Sequence, residues 1–146
     1  MRYHSKDLRK GRFSCPNQMY LITTVTEPRQ PLFTDFYAAR HLIGILRESQ
    51  QQQEALTHAF VVMPDHLHGL MTLCPAQDLS KTVGRVKSLS ARYFKQGVIW
   101  QPGFHDGAVR AEEDVKGIAR YIVANPLRAG LVKHVADYPH WDAEWL

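Results

Sequence analysis

An α+β fold is what this sequence predicts: a ferredoxin-like split βαβ domain whose antiparallel sheet carries helices on one face, plus an extra C-terminal helix. Two observations predict it. The apolar residues switch between the two-residue repeat of strands and the 3.6-residue repeat of helices in the order β-α-β-β-α-β-α. The two middle strands are separated only by Pro64-Asp65, and a turn there makes a hairpin, so the sheet is antiparallel. The 146 residues are expected to form one domain over 1–146, with 1–18 a basic N-terminal segment.

Each element follows from its residues. Met19 to Thr26 alternates Tyr20, Ile22 and Thr24 against Leu21, Thr23 and Val25, and its β-branched content suits a strand. Pro28 and Pro31 break it. Thr34 or Asp35 then caps a helix to about Ser49, with Phe36, Ala39, Ile43 and Leu46 on its buried stripe. His58 to Met63 and His66 to Leu73 read as two apolar strands, although Pro-Asp is not a favoured hairpin pair. Asp78 or Ser80 starts a second helix reaching about Gln96, with Leu79, Val83, Val86 and Tyr93 inward. A strand over Phe104 to Arg110 follows. The last helix begins at the acidic Glu112-Glu113-Asp114, buries Val115, Ile118, Ala119 and Ile122, and ends at Asn125 because Pro126 follows.

Composition excludes more than it selects. An apolar share of 45% and a charged share of 22% are those of an ordinary globular chain. No apolar stretch follows the early cations, and no run reaches membrane-spanning length, so neither a signal peptide nor a membrane partner is expected. Cys15 and Cys74 have no metal or redox spacing and read as reduced thiols, which makes the cytoplasm the expected compartment. The net charge of +4 is compatible with an acidic partner.

The chemistry concentrates at His66-Leu67-His68. On a strand both imidazoles share a face, roughly 6–7 Å apart, while Leu67 points to the opposite face as an anchor. Such a pair can chelate a divalent metal, though a His-x-His on a strand is more often structural. Tyr121 and Asn125 stand four apart on the last helix and so share a face. An amide oxygen is a hard ligand for magnesium or manganese; with two imidazoles it leaves positions for water and phosphate oxygens. A metal so held can polarise a scissile phosphate that a nearby tyrosinate attacks. The plainer uses are a half-buried tyrosine making one hydrogen bond and an Asn capping the helix that starts at Pro126.

These residues resemble a known family. Met63-Pro64-Asp65-His66-Leu67-His68 is similar to an HUH motif, and Tyr121-Ile122-Val123-Ala124-Asn125-Pro126-Leu127-Arg128-Ala129-Gly130-Leu131-Val132 and Trp100-Gln101-Pro102-Gly103-Phe104-His105-Asp106 resemble blocks of the single-tyrosine HUH transposases. The REP-associated tyrosine transposases are the branch most resembled; Arg9-Lys10-Gly11-Arg12 and Tyr138-Pro139-His140-Trp141-Asp142 also match. Gly69 and Gly107 depart from the pattern, where relatives carry larger residues.

The resemblance implies a DNA nickase and strand transferase. His66, His68 and Asn125 would hold Mg2+ or Mn2+, and Tyr121 would be the nucleophile. It would cleave single-stranded DNA beside a REP-like palindromic hairpin through a 5′-phosphotyrosine link, with no nucleotide cofactor. Such proteins act as a monomer or a homodimer. Two alternatives stay open: a non-catalytic binder of structured nucleic acid, and a small metallohydrolase using water as nucleophile. Candidate DNA contacts are Arg9, Lys10 and Arg12, and the outer stripe of the second helix, Lys81, Arg85, Arg92 and Lys95. His105 and Asp106 are candidate supports of the site, and Trp100, Trp141 and Trp145 candidate stacking surfaces.

Overall fold

The computed structural model describes residues 18–110 and 114–144. Arg9, Lys10, Arg12, Cys15 and Trp145 lie outside the described residues. The elements run β1 (Met19–Val25), α1 (Phe36–Gln51), β2 (Ala55–Met63), β3 (His66–Leu73), α2 (Leu79–Ala91), β4 (His105–Val109), α3 (Val115–Val123), α4 (Asn125–Arg128) and β5 (Trp141–Ala143). The sheet is antiparallel in the order β4-β1-β3-β2-β5. Its first four strands have the expected split βαβ arrangement; β5, which the sequence reading did not anticipate, extends the β2 edge.

The three longer helices start alike, each with an aspartate accepting from the first turn's free N–H groups. Asp35 Oδ1 accepts from Tyr37 N at 2.9 Å, Asp78 Oδ1 from Lys81 N at 2.9 Å, and Asp114 Oδ1 from Gly117 N at 2.9 Å. The α1 and α2 helices cover one face, burying Leu42, Leu46 and Val86 with Val62 and Leu67, and Leu79 and Val83 with Ile22 and Met71. The extra C-terminal helix covers the other: Ala119, Ile122 and Val123 of α3 pack on Leu21, Val61, Met63 and Leu70.

Pro64-Asp65 is a true hairpin turn, because Met63 pairs directly with His66. Its unfavoured sequence is held from outside: Phe33 N donates to the Pro64 carbonyl and Thr26 N to that of Asp65, both at 2.9 Å. Two expected core residues are exposed, and Val115 and Ile118 are only partly buried. Phe36 is 51% exposed and Tyr93 38% exposed. The apolar face of α1 centres on Leu42 and Leu46, and Phe36, at its first position, rests on Tyr37 and His140. The second helix stops at Ala91, not Gln96, because Tyr93 N and Phe94 N turn back to the Ser90 and Ala91 carbonyls in tighter three-residue bonds. Trp100 is core, its Nε1 donating to Ser90 Oγ at 2.9 Å, and half-buried Trp141 donates to the Val135 carbonyl. Among the described residues no helix is long and apolar enough to cross a membrane.

Candidate functional site

Strand alternation and the observed register place His66, His68 and Leu70 on the face that α3 covers, while Leu67 is buried against α1. Each imidazole is held by its Nδ1. Asp65 Oδ1 lies 2.8 Å from His66 Nδ1. Burial raises the Asp65 pKa, but His66 and the Arg29 guanidinium, whose Nε is 3.0 Å from Oδ2, outweigh it and hold the carboxyl below its usual range. The ionised carboxylate can only accept, so His66 Nδ1 carries a hydrogen. On the neighbouring strand Thr23 sits opposite His68, and its Oγ1 is 2.6 Å from His68 Nδ1. Burial, with His66 and Arg128 adding repulsion against a loss to the Ile22 carbonyl hydrogen bond, pushes His68 down to about 4. It is neutral near physiological pH.

The tyrosine helix docks on this face. Asn125 Nδ2 stands 3.3 Å from His66 Nε2, so the two halves of the candidate site meet within one chain. The Asn125 side chain does not cap the following turn: the N-cap of α4 is Ala124, and no side chain caps it. Pro126 opens that turn and Gly130 closes it. Gly130, at φ 76°, donates to the Leu127 carbonyl while Leu131 N donates to that of Pro126, the paired bonds of a Schellman stop. Between them Arg128 is presented on the same side as Tyr121. Its guanidinium carbon lies 3.7 Å from the centroid of the Tyr121 ring, and Tyr121 is 62% exposed.

The donor set fits a divalent metal. Two imidazoles whose Nδ1 atoms are engaged can offer Nε2 to a metal and an amide can offer an oxygen, with outer partners Asp65 and Thr23 fixing the rings as metal-binding histidines require. Among the described residues no cluster of three or more His, Cys, Asp or Glu competes as a metal site.

The remaining expected residues fall in different places. His105 pairs with Thr23 and shares the His68 face, beside a cleft of ≈ 260 Å³ lined by Thr23, Val25, Gln101, Pro102, Gly103, Phe104 and His105. Asp106 pairs with Ile22 and is fully buried on the other face; it is not brought to the imidazoles. Lys81, Arg85, Arg92 and Lys95 are exposed on and just after α2, across the sheet from the histidines. Arg85 is committed to acids: Nη1 is 2.6 Å from Glu54 Oε2 and Nη2 is 4.0 Å from Glu48 Oε1.

Sequence reasoning missed Thr23, Asp65, Arg128 and Lys87. Arg128 was legible, since positions 121, 125 and 128 follow the four- and three-residue steps of one helix face. Thr23 needed the strand register. Lys87 Nζ donates to the Gln101 and Gly103 carbonyls at 2.8 and 2.6 Å, fixing the loop that walls the cleft.

Comparison with known proteins identifies the chain's relatives. Residues 14–125 match the family model described as "Transposase IS200 like". The chain is 32% identical over 111 residues to the REP-associated tyrosine transposase of Escherichia coli strain K12, a match covering 75% of this chain and 66%, just under two thirds, of that relative. It is 24% identical to a Haemophilus influenzae protein provisionally given the same name, over 96% of this chain and 84% of the relative. A solved structure of a REP-associated tyrosine transposase bound to a REP hairpin superposes with a TM-score of 0.75 and 28% identity, covering 89% of this chain and 79% of that one. The chain belongs to the IS200-like transposase family, a family of enzymes that act on DNA, and within it resembles the REP-associated tyrosine transposases.

Proposed function

We propose that the protein cleaves and rejoins single-stranded DNA beside REP-like hairpins, with Tyr121 as nucleophile and His66, His68 and Asn125 as ligands of Mg2+ or Mn2+. The observation that carries this reading is the 3.3 Å approach of Asn125 to His66, which joins the tyrosine helix to the histidine strand. Family membership and the hairpin-bound structural relative support DNA as the substrate.

Tyr121 Oη attacks the scissile phosphorus, its proton passing to solvent at this exposed position. The new P–O bond links the 5′ side of the break to the ring, and the broken P–O3′ bond leaves a 3′-oxygen that takes up a proton. Attack by another 3′-OH reverses the sequence and rejoins strands. A divalent metal bound at the site would polarise the phosphate. Arg128, whose guanidinium lies over the nucleophile's ring and near enough to His68 to depress its pKa, would pair with a phosphate oxygen between the two halves. Because one chain already brings both halves together, the reading favours a site completed by a single copy.

The test is a denaturing gel of a labelled hairpin oligonucleotide incubated with the protein and Mg2+ or Mn2+. The reading expects a covalent protein–DNA adduct that Tyr121→Phe abolishes and His66→Ala weakens. Hairpin binding with no adduct under either metal would leave a non-catalytic binder; cleavage surviving Tyr121→Phe would point to water as nucleophile.

A further inference from the structure

Apart from Tyr121, the exposed aromatic side chains among the described residues gather in one place. Tyr37 is 72% exposed, beside Phe36 and Tyr93 at 51% and 38%. Phe36 meets Tyr37 edge-on with centroids 5.5 Å apart, and Tyr93 lies 5.6 Å from the His41 ring and 5.2 Å from Phe94. Tyr37 is close enough to Tyr93 to affect its titration. The start of α1 and the segment after α2 are tied by Tyr93 Oη, which donates to Asp35 Oδ2 at 3.2 Å across 58 residues. Beneath the patch Phe94 packs edge-on against Phe33, which stacks on buried Trp100. The exposed rings are therefore held on a rigid base.

Exposed cations lie near the rings along the chain. Arg40 follows Phe36 and Tyr37 by one helical turn and acts electrostatically on His140, whose ring contacts Phe36. Arg92 adjoins Tyr93 and Lys95 follows. The local acid, Asp35, is engaged by the α1 cap and by Tyr93. The position matters as much as the chemistry. Phe33 N bonds the Pro64 carbonyl, one residue before Asp65 and two before His66, and His140 gives its carbonyl to Val62 N near the same end of β2. The patch thus stands at the histidine end of the sheet, past the Pro64–Asp65 turn.

Exposed rings interleaved with cations suit unpaired nucleotides, whose bases stack while their phosphates pair with the cations. A duplex stem, already stacked, has no bases to offer. We propose that Phe36, Tyr37 and Tyr93, flanked by Arg40 and Arg92, form a stacking platform for the unpaired strand that leaves the reaction site over the Pro64–Asp65 turn. This rests on the strand-transfer reading above.

The test is fluorescence anisotropy with two labelled hairpins, one blunt and one carrying a single-stranded flank of about ten nucleotides, for the parent, Tyr37→Ala and Tyr37→Phe. Tyr37→Ala is expected to bind the flanked hairpin about 5- to 10-fold more weakly, to bind the blunt one as the parent does, and to melt unchanged. Tyr37→Phe, which keeps the ring, is expected to restore binding. Equal affinity of parent and Tyr37→Ala for the flanked hairpin, or an equal loss on both hairpins, overturns the platform. So does a parent that dimerises in sedimentation while Tyr37→Ala does not, since a second copy would then cover the patch. Adduct formation by the parent is scored separately: its absence sinks the strand-transfer reading and the platform with it, whereas a reactive parent with an indifferent Tyr37→Ala sinks the platform alone.

Discussion

The guanidinium carbon of Arg128 lies over Tyr121, 3.7 Å from the ring centroid, and the same cation helps depress the pKa of His68. One side chain therefore borders both the proposed nucleophile and the proposed metal ligands. Arg128→Ala is expected to slow adduct formation by about 10²-fold, the usual loss of one preorganised charge at a reacting centre. Arg128→Lys should recover part of that, as a point charge without the planar fork. Single-turnover gel assays at saturating protein measure both; an Arg128→Ala variant as fast as the parent would remove the residue from the reaction.

The two histidines are braced unequally, His66 by a carboxylate and His68 by a hydroxyl. Loss of an outer partner of a metal-binding imidazole typically lowers metal affinity about 10- to 100-fold. Asp65→Asn and Thr23→Val are each expected to do so, read by Mn2+ titration calorimetry of the DNA-free protein. Thr23→Val keeps the strand's β-branched shape, so its melting temperature should stay close to the parent's. Unchanged Mn2+ affinity in both variants would argue that these rings do not hold the metal.

The histidine pair, the tyrosine and the asparagine were all legible because local repeats carry them: two residues on a strand, four on a helix. The βαββαβ order was legible for the same reason. What was not legible depends on pairing between distant segments. Thr23 becomes a partner of His68 only through the register of β1 against β3. The three-residue β5 has too few positions to show alternation and exists because Val61, Phe60 and Ala59 offer it an open edge. Phe36 and Tyr93 misled for a related reason. Their helical spacing was right in sequence, but one sits at the first position of α1 and the other beyond the end of α2.

The cationic stripe of α2 shows the limit of counting charges. Arg85 faces Glu54 and Glu48, so a phosphate approaching it must displace carboxylates already in place. Arg92, at the C-cap of α2, is exposed and immediately precedes Tyr93. Arg92→Gln is therefore expected to reduce the slope of log affinity against log salt by about 0.7–0.9, one phosphate contact, while Arg85→Gln leaves the slope unchanged. Anisotropy titrations of a hairpin over a range of salt concentrations decide it; equal slope changes would return Arg85 to the DNA contacts.

The segment leading into β5 is anchored to β2 by Tyr138. Tyr138 Oη donates to the Val62 carbonyl at 2.6 Å, and burial pushes its phenol up to about 12, against about 10 in an unfolded chain. A raised pKa means the fold prefers the neutral phenol, so its contribution is whole below about pH 10 and is lost as pH climbs toward 12. Tyr138→Phe removes the donor and should cost about 0.5–1.5 kcal/mol near neutral pH. The parent alone then loses stability in the alkaline window, so the gap between the two proteins must narrow there. Paired urea melts near neutrality and at about pH 11 measure that gap. A gap that stays constant or widens would mean that the folded phenol's pKa is not raised, and no gap near neutrality would mean that the Val62 carbonyl gains nothing from this phenol.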